Sequence, residues 1–194
     1  MLAATEIARG VQGAVELLRR DPAASRRFDN TMEACLRSFR VMAVAAPIYG
    51  LYLLIGYSRL TVSADAFDVI AIEMMRYLVD WLLFPVLFYE IARRRGWLDR
   101  YPRYIGALNW INLPAMVIAT LVIVVQSVTP TAVAGVIDIA QRAVFFYWFL
   151  VTTRMLLGAD WGMSVVLLAV SWLPSLLLSI LVARYVGVIG LAGA

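Results

Sequence analysis

The 194-residue sequence contains no histidine, one cysteine and few charged residues (15%), and all of its 17 basic residues are arginine. Without histidine, and with Cys35 alone, the usual ligand sets for haem, zinc and copper are absent and an internal disulfide cannot form. The sequence also lacks a phosphate-binding glycine loop, a nucleophile elbow and the spaced acidic motif of lipid phosphotransferases. We therefore expect no enzymatic activity, no catalytic residue, no metal and no cofactor.

Apolar residues dominate the chain: they make up 63% of it, and the mean hydropathy is +0.83. Both values lie far outside the range of soluble domains. The length suffices for five or six helices of about 20 residues, which is what crossing roughly 30 Å of hydrocarbon requires. The sequence therefore predicts an all-α, polytopic membrane helix bundle whose first partner is the lipid bilayer. Nucleic-acid binding is not expected, because the arginine run 93–95 is typical of a membrane loop.

Residues 1–33 are predicted to form a cytoplasmic amphipathic segment ahead of the membrane domain. Leu2, Ile7 and Val11 recur at helical spacing, charged residues occupy the other side, and Asp21-Pro22 ends the pattern. Such a helix can lie in the headgroup region with its arginines near anionic lipid. It can equally pack on the cytoplasmic face of the protein itself, and the sequence leaves both placements open.

Five transmembrane helices are predicted within residues 34–189, followed by a short tail at 190–194. Their predicted limits are 34–57, 69–92, 104–128, 131–157 and 163–189. Arginines concentrate before the first span and in the second connection, whereas the opposite side receives only Arg59 and Arg184. Because basic residues near span ends are retained in the cytoplasm, we expect a cytoplasmic amino terminus and a periplasmic carboxyl terminus. The exclusive use of arginine, with abundant alanine, is typical of a GC-rich bacterial genome, so we expect the membrane to be a bacterial inner membrane.

The second and fourth predicted spans carry charge motifs of opposite order, Arg76-x-x-x-Asp80 and Asp138-x-x-x-Arg142. These spans would run in the same direction and hold the motifs at equal depth. Arg76 is therefore expected to meet Asp138, and Asp80 to meet Arg142, while each helix also holds its own i,i+4 pair. Such pairing is expected because a lone ionised residue at the bilayer centre costs from about 2.5 to above 10 kcal/mol. Glu73 is expected to remain an unpaired carboxylate. The cluster could act as a clamp between helices or as a proton or ion pathway.

A second polar set lies toward the cytoplasmic half of the predicted spans and could line a cleft for a small polar ligand. Its members are Glu90, Asn109, Asn112, Tyr147 and Arg154. Amides and hydroxyls in membrane helices also bond simply across helices, so this alternative stays open. Glu90 and Arg154 could equally form an interfacial ion pair.

The last predicted span carries the small-residue stripe Ser171-x-x-x-Ser175-x-x-x-Ser179. Small residues allow another helix to approach closely. The sequence does not determine whether that helix belongs to the same chain or to another subunit.

Three stretches of the chain form a recognisable pattern. They are Phe28-Asp29-Asn30-Thr31 with Arg37-Ser38-Phe39 and Pro47-Ile48-Tyr49, then 104–114 with Asn109-Trp110, then Tyr147-Trp148-Phe149 with Arg154-x-x-Leu157-Gly158. Together they resemble small bacterial membrane proteins grouped with the Yip (Ypt-interacting-protein) domain. The resemblance implies five membrane helices and a cytoplasmic amino-terminal segment, and it implies no catalytic residues. Eukaryotic members are adaptors in vesicle traffic, but their acidic and glycine-bearing signature is not evident here.

These features favour a non-enzymatic inner-membrane protein that acts through helix-helix contacts as an accessory, assembly or scaffold subunit. Its partner would be another membrane protein or a second copy of the chain. The alternative function is a small transporter or channel component that moves an ion or small polar solute through the intramembrane polar cluster.

Overall fold

In a computed structural model, which describes residues 2–191, the chain is helical apart from one short strand pair. The helices are α1 (Ala4–Leu18), α2 (Met32–Ser38), α3 (Val41–Tyr57), α4 (Ala66–Arg95), α5 (Tyr101–Ser127), α6 (Thr131–Leu157) and α7 (Trp161–Tyr185). A 3₁₀ helix covers Pro22–Arg27. Strands β1 (Leu60–Val62) and β2 (Val188–Leu191) pair antiparallel.

Within residues 2–191, four segments are long and apolar enough to cross a membrane. They are Met32–Tyr57, which comprises α2 and α3, and the single helices α5, α6 and α7. The predicted all-helical fold is confirmed, and the four segments are compatible with the predicted multi-pass membrane protein. Helix α4 has 30 residues, about 45 Å at 1.5 Å per residue, so its length suffices to span a bilayer. Glu73, Arg76 and Asp80 interrupt its apolar sequence, and α4 is therefore not identified as a span by composition.

The five long helices surround a central cavity in the order α3, α5, α6, α7 and α4. Helix α5 packs against α3 on one side and α6 on the other, and α7 packs against both α6 and α4. Helix α4 reaches α3 where the rings of Tyr49 and Tyr77 stack at 4.6 Å between centroids. Helices α1 and α2 lie against α5 at what we call the amino-terminal end of the bundle. The strand pair lies at the opposite end, which we call the strand end.

Helix α1 packs on the protein itself, against α5 and α6, as the second of its two predicted placements requires. Its face of small and apolar residues is buried, and at Gly10 a Cβ would lie 2.2 Å from the ring of Trp110. The indole Nε1 of Trp148 on α6 donates to the carbonyl oxygen of Ala14 at 2.9 Å. On the polar side, Arg27 bonds Glu16 at 2.9 Å and lowers the pKa of that carboxyl.

The ends of α4, α6 and α7 follow ordinary capping rules. Helices α4 and α6 stop at Gly96 (φ 71°) and Gly158 (φ 69°), whose left-handed conformation favours glycine. Asp160 begins α7 by accepting from the backbone N–H of Met163 at 2.8 Å. Helix α7 ends at Tyr185, before the predicted limit of 189, and Gly187 (φ 64°) leads into β2, which begins at Val188. Of the predicted tail, 190–191 belong to β2 and 192–194 lie outside the described residues.

Candidate functional site

Glu73 lies at the centre of a polar cluster between α3 and α4. Its side chain is buried, with 4% of the residue exposed. The carboxylate accepts hydrogen bonds from three groups: Tyr49 Oη at 2.8 Å, Tyr57 Oη at 2.7 Å and Arg76 Nε at 2.7 Å. The prediction of an unpaired Glu73 is therefore wrong, because two tyrosines on the neighbouring helix and an arginine one turn away reach it.

The guanidinium of Arg76 connects this carboxylate to α7. Its Nη2 donates to Tyr49 Oη at 2.7 Å and its Nη1 to Ser179 Oγ at 3.1 Å. Asp80 lies farther away, with 3.9 Å between Arg76 Nη1 and Asp80 Oδ2, and accepts from Ser175 Oγ at 2.9 Å. The serine stripe therefore contacts α4 of the same chain, and two of its hydroxyls bond to charged groups there.

The second charge motif lies apart from the first. Asp138 and Arg142 pair within α6, with Nε to Oδ2 at 2.8 Å and Nη2 to Oδ1 at 3.2 Å. Their side chains are 44% and 54% exposed. The predicted meeting of Arg76 with Asp138, and of Asp80 with Arg142, is wrong.

The order of the helices explains the separation of the two motifs. Helix α7 lies between α4 and α6 in the ring and supplies the serines that contact the α4 motif. Helices α4 and α6 approach each other instead through the rings of Phe84 and Phe149, whose centroids are 5.5 Å apart. Equal depth along parallel helices therefore did not bring the charges together.

A cavity of about 360 Å³ occupies the centre of the helix ring, and residues from all five long helices line it. Its polar lining groups come from three sets that the sequence analysis kept separate. They are Asp80 of the charge cluster, Asn109 and Asn112 of the polar cleft, and Ser171 and Ser175 of the serine stripe. Tyr49, which belonged to none of these sets, also lines the cavity. The remaining lining is apolar and rich in aromatic rings: Tyr77, Trp81, Phe84, Phe145 and Phe149. The structure thus unites part of the predicted charge cluster, polar cleft and serine stripe.

The other members of the predicted polar cleft lie elsewhere. Glu90 bonds Arg93 at 2.9 Å and Arg94 at 2.6 Å on its own helix, so the predicted pair with Arg154 is wrong. Arg154 lies over the ring of Trp161, 4.2 Å from its centroid. Tyr147 is exposed, and the guanidinium carbon of Arg20 lies over its ring, 5.2 Å from the ring centroid. Each of these side chains finds a partner near the amino-terminal end of the bundle, away from the cavity.

Sequence reasoning missed the tyrosines that hold the charges. Tyr49 and Tyr57 are eight residues apart on α3 and therefore project from similar faces of that helix. A buried tyrosine hydroxyl usually finds a hydrogen-bond partner, so this spacing inside an apolar helix was an available signal. Within residues 2–191, no group of three or more acidic or cysteine side chains is placed to hold a metal ion.

Comparison with protein-family models, with curated proteins and with solved structures gives no match for this chain. The Yip-domain resemblance stays a prediction. Functional proposals for this protein therefore rest on its own geometry.

Proposed function

We propose that this protein is a non-enzymatic subunit of a bacterial inner membrane that acts through helix-helix contacts, with a second copy of the chain as its partner. The observation that carries the proposal is the exposed ion pair on α6. Asp138 and Arg142 lie about 10 and 16 Å from the start of a 27-residue helix at 1.5 Å per residue. Charged side chains at such depth normally face a bundle interior or another polar group.

Helix α6 is also the least buried of the four apolar segments. Its exposed surface around the ion pair includes Gly135, where an added Cβ would meet nothing within 4 Å, as well as Val136 and Ile139. A glycine among exposed apolar side chains allows another helix to approach closely. The combination of an exposed ion pair, a glycine and low burial indicates that this surface of α6 is a docking face for another helix.

The charges of this face favour a second copy as the occupant. Two copies in the same membrane, related by a two-fold axis along the membrane normal, would place their α6 helices side by side and parallel. Asp138 of each copy would then lie one helical turn from the level of Arg142 in the other. Each carboxylate can therefore pair with a guanidinium across the axis, which yields a neutral four-charge ring between copies.

The proposed architecture has five spans, with α4 as the fifth. Helix α4 packs lengthwise against α7, as the contacts of Arg76 with Ser179 and Asp80 with Ser175 indicate, so it extends through the same depth. Its charged groups bond inside the bundle, which lowers the cost of membrane insertion. With five spans and the arginine asymmetry, the amino terminus is cytoplasmic and the carboxyl terminus periplasmic.

The test is a pair of charge variants mixed in lipid vesicles. Asp138→Arg gives a face with two positive charges and Arg142→Asp a face with two negative charges. Each variant alone should associate about tenfold more weakly than the wild type, because like charges then oppose each other across the axis. The two variants mixed should form heterodimers, measured by energy transfer between donor-labelled and acceptor-labelled protein at increasing lipid dilution.

The matched control is the exposed pair Glu33 and Arg37 on α2, which has the same i,i+4 spacing and a 2.6 Å contact. Glu33→Arg and Arg37→Glu should leave association unchanged. A monomeric wild type, or mixed variants that associate no better than either alone, would refute the proposal. Stoichiometric capture of a different membrane protein that depends on Asp138 would replace the second copy with that protein.

A further inference from the structure

The polar cluster on α4 carries an excess of negative charge. Glu73 and Asp80 are two carboxylates, and Arg76 is the only cation that contacts them in residues 2–191. The guanidinium lies 2.7 Å from the Glu73 carboxylate but 3.9 Å from that of Asp80. Arg76 is thus mainly the counter-ion of Glu73, which leaves the charge of Asp80 only partly balanced.

Asp80 is also the carboxylate that faces the cavity. It lines the 360 Å³ space, and its side chain retains 29% exposure, compared with 5% for Glu73. Among the described residues, its one hydrogen-bond donor is Ser175, a neutral group. The carboxylate can therefore accept a cation from the cavity without giving up a buried partner.

Aromatic rings form much of the wall near this carboxylate. Tyr77 stacks on Tyr49 at 4.6 Å and meets Trp81 edge-on at 6.1 Å, and both Tyr77 and Trp81 are nearly buried. Phe84 and Phe149 continue the wall at a centroid separation of 5.5 Å. The faces of such rings attract organic ammonium groups, and aromatic cages are a general means of binding quaternary ammonium compounds.

A buried amide adds a second polar group to the wall of the cavity. Asn109 is 97% buried, since only 3% of it is exposed, and it lines the cavity. Its Nδ2 donates to Ser38 Oγ at 2.9 Å, whereas its Oδ1 accepts no hydrogen bond from residues 2–191. Among the described residues only Thr152 Oγ1 is a fully buried side-chain polar atom without a partner, so Asn109 Oδ1 is not fully enclosed by the protein. A hydroxyl or ammonium group in the cavity can therefore donate to this oxygen.

We propose that the central cavity binds a small organic cation, an amine or a quaternary ammonium compound, with Asp80 as counter-ion. The volume falls in the range of sites for small molecules, about 300–1,000 Å³. A bare metal ion would require several oxygen ligands, whereas aromatic carbon forms much of this wall. An anion would be repelled by Asp80. The site goes beyond the assembly role and does not depend on it.

Choline and its neutral isostere 3,3-dimethylbutan-1-ol provide matched probes, because they share size and hydroxyl group and differ in charge. Binding to the purified full chain in nanodiscs is measured by titration calorimetry. We expect saturable choline binding at least tenfold tighter than binding of the alcohol. Equal binding of both probes, or no saturable binding of either, would overturn the proposal.

Variants of α4 test whether Asp80 is responsible for the preference for choline over the neutral alcohol. Asp80→Asn should reduce the preference for choline over the alcohol to about twofold or less, whereas Asp80→Glu should retain most of it. Asp68→Asn, at an exposed carboxylate in the first turn of the same helix, should leave the preference unchanged. Looser packing in a variant would weaken the binding of both probes, because they have the same size. The ratio of the choline affinity to the alcohol affinity therefore still reports the recognition of charge. An Asp80→Asn protein that still prefers choline would refute the role of Asp80.

Discussion

The acidic and basic residues of α4 and of α6 are of the same types and spacing, yet their surroundings are opposite. Arg76 and Asp80 lie inside the helix ring, where Glu73 and hydroxyl groups from α3 and α7 complete their hydrogen bonds. Asp138 and Arg142 bond only each other among the described residues and keep about half of their side-chain surface exposed. Similar motifs thus have different surroundings: the first links helices within one chain, and the second lies exposed, where we propose that it contacts another chain.

The comparison teaches that an i,i+4 charge pair in an apolar helix does not indicate its own role. Such a pair is a local consequence of helix geometry and forms in both helices. The neighbouring helices determine whether the pair is buried among hydrogen-bond partners or exposed on the surface of the bundle. Substitutions on the two helices should therefore differ in their effect on the free energy of unfolding. Cys35, the single cysteine of the chain, is buried, so the reaction of its thiol with a dye reports unfolding in every variant.

The largest effect is expected at Glu73. Glu73→Gln removes the closest counter-ion of Arg76 and leaves a largely buried guanidinium, which should lower the free energy of unfolding by about 3 kcal/mol. The measurement is thermal unfolding in detergent, followed by reaction of Cys35 with a thiol-reactive dye. A variant that unfolds at the wild-type temperature would show that the cluster does not stabilise the bundle.

A smaller effect is expected at Asp80. Asp80→Asn keeps an oxygen that can accept from Ser175, and the lost attraction to Arg76 acts over 3.9 Å, so the expected loss is about 1 kcal/mol. The same thiol assay measures it. A loss as large as that of Glu73→Gln would identify Asp80 as the principal counter-ion of Arg76 and reverse the roles assigned to the two carboxylates.

The smallest effect on folding is expected at Asp138. Exposed i,i+4 pairs contribute about 0.3–0.5 kcal/mol, so Asp138→Asn should unfold almost as the wild type does in dilute detergent. The thiol assay should be made at concentrations where the protein is monomeric, so that association does not contribute. A loss above about 2 kcal/mol would place the α6 pair inside the bundle and remove the difference between the two motifs.

Much of the local structure could be predicted from the sequence. The amphipathic α1, the four apolar segments and the pairing of Asp138 with Arg142 within α6 all follow from helical periodicity, which acts over a few residues. The contacts between helices were predicted less well. Asp80 and Asn109 line one cavity although the sequence placed them in different sets, and Glu73 is bound by tyrosines from a helix whose position the sequence did not indicate.

The sequence alone determined that this chain forms helices long and apolar enough to cross a membrane, because the free energy of burying apolar residues depends on composition and segment length. The tertiary structure decided which charges are partnered inside the bundle and which remain exposed. That outcome depends on α7 lying between α4 and α6. Helix order around a bundle is set by the packing of side chains distant in sequence, and periodicity within each helix carries no record of it.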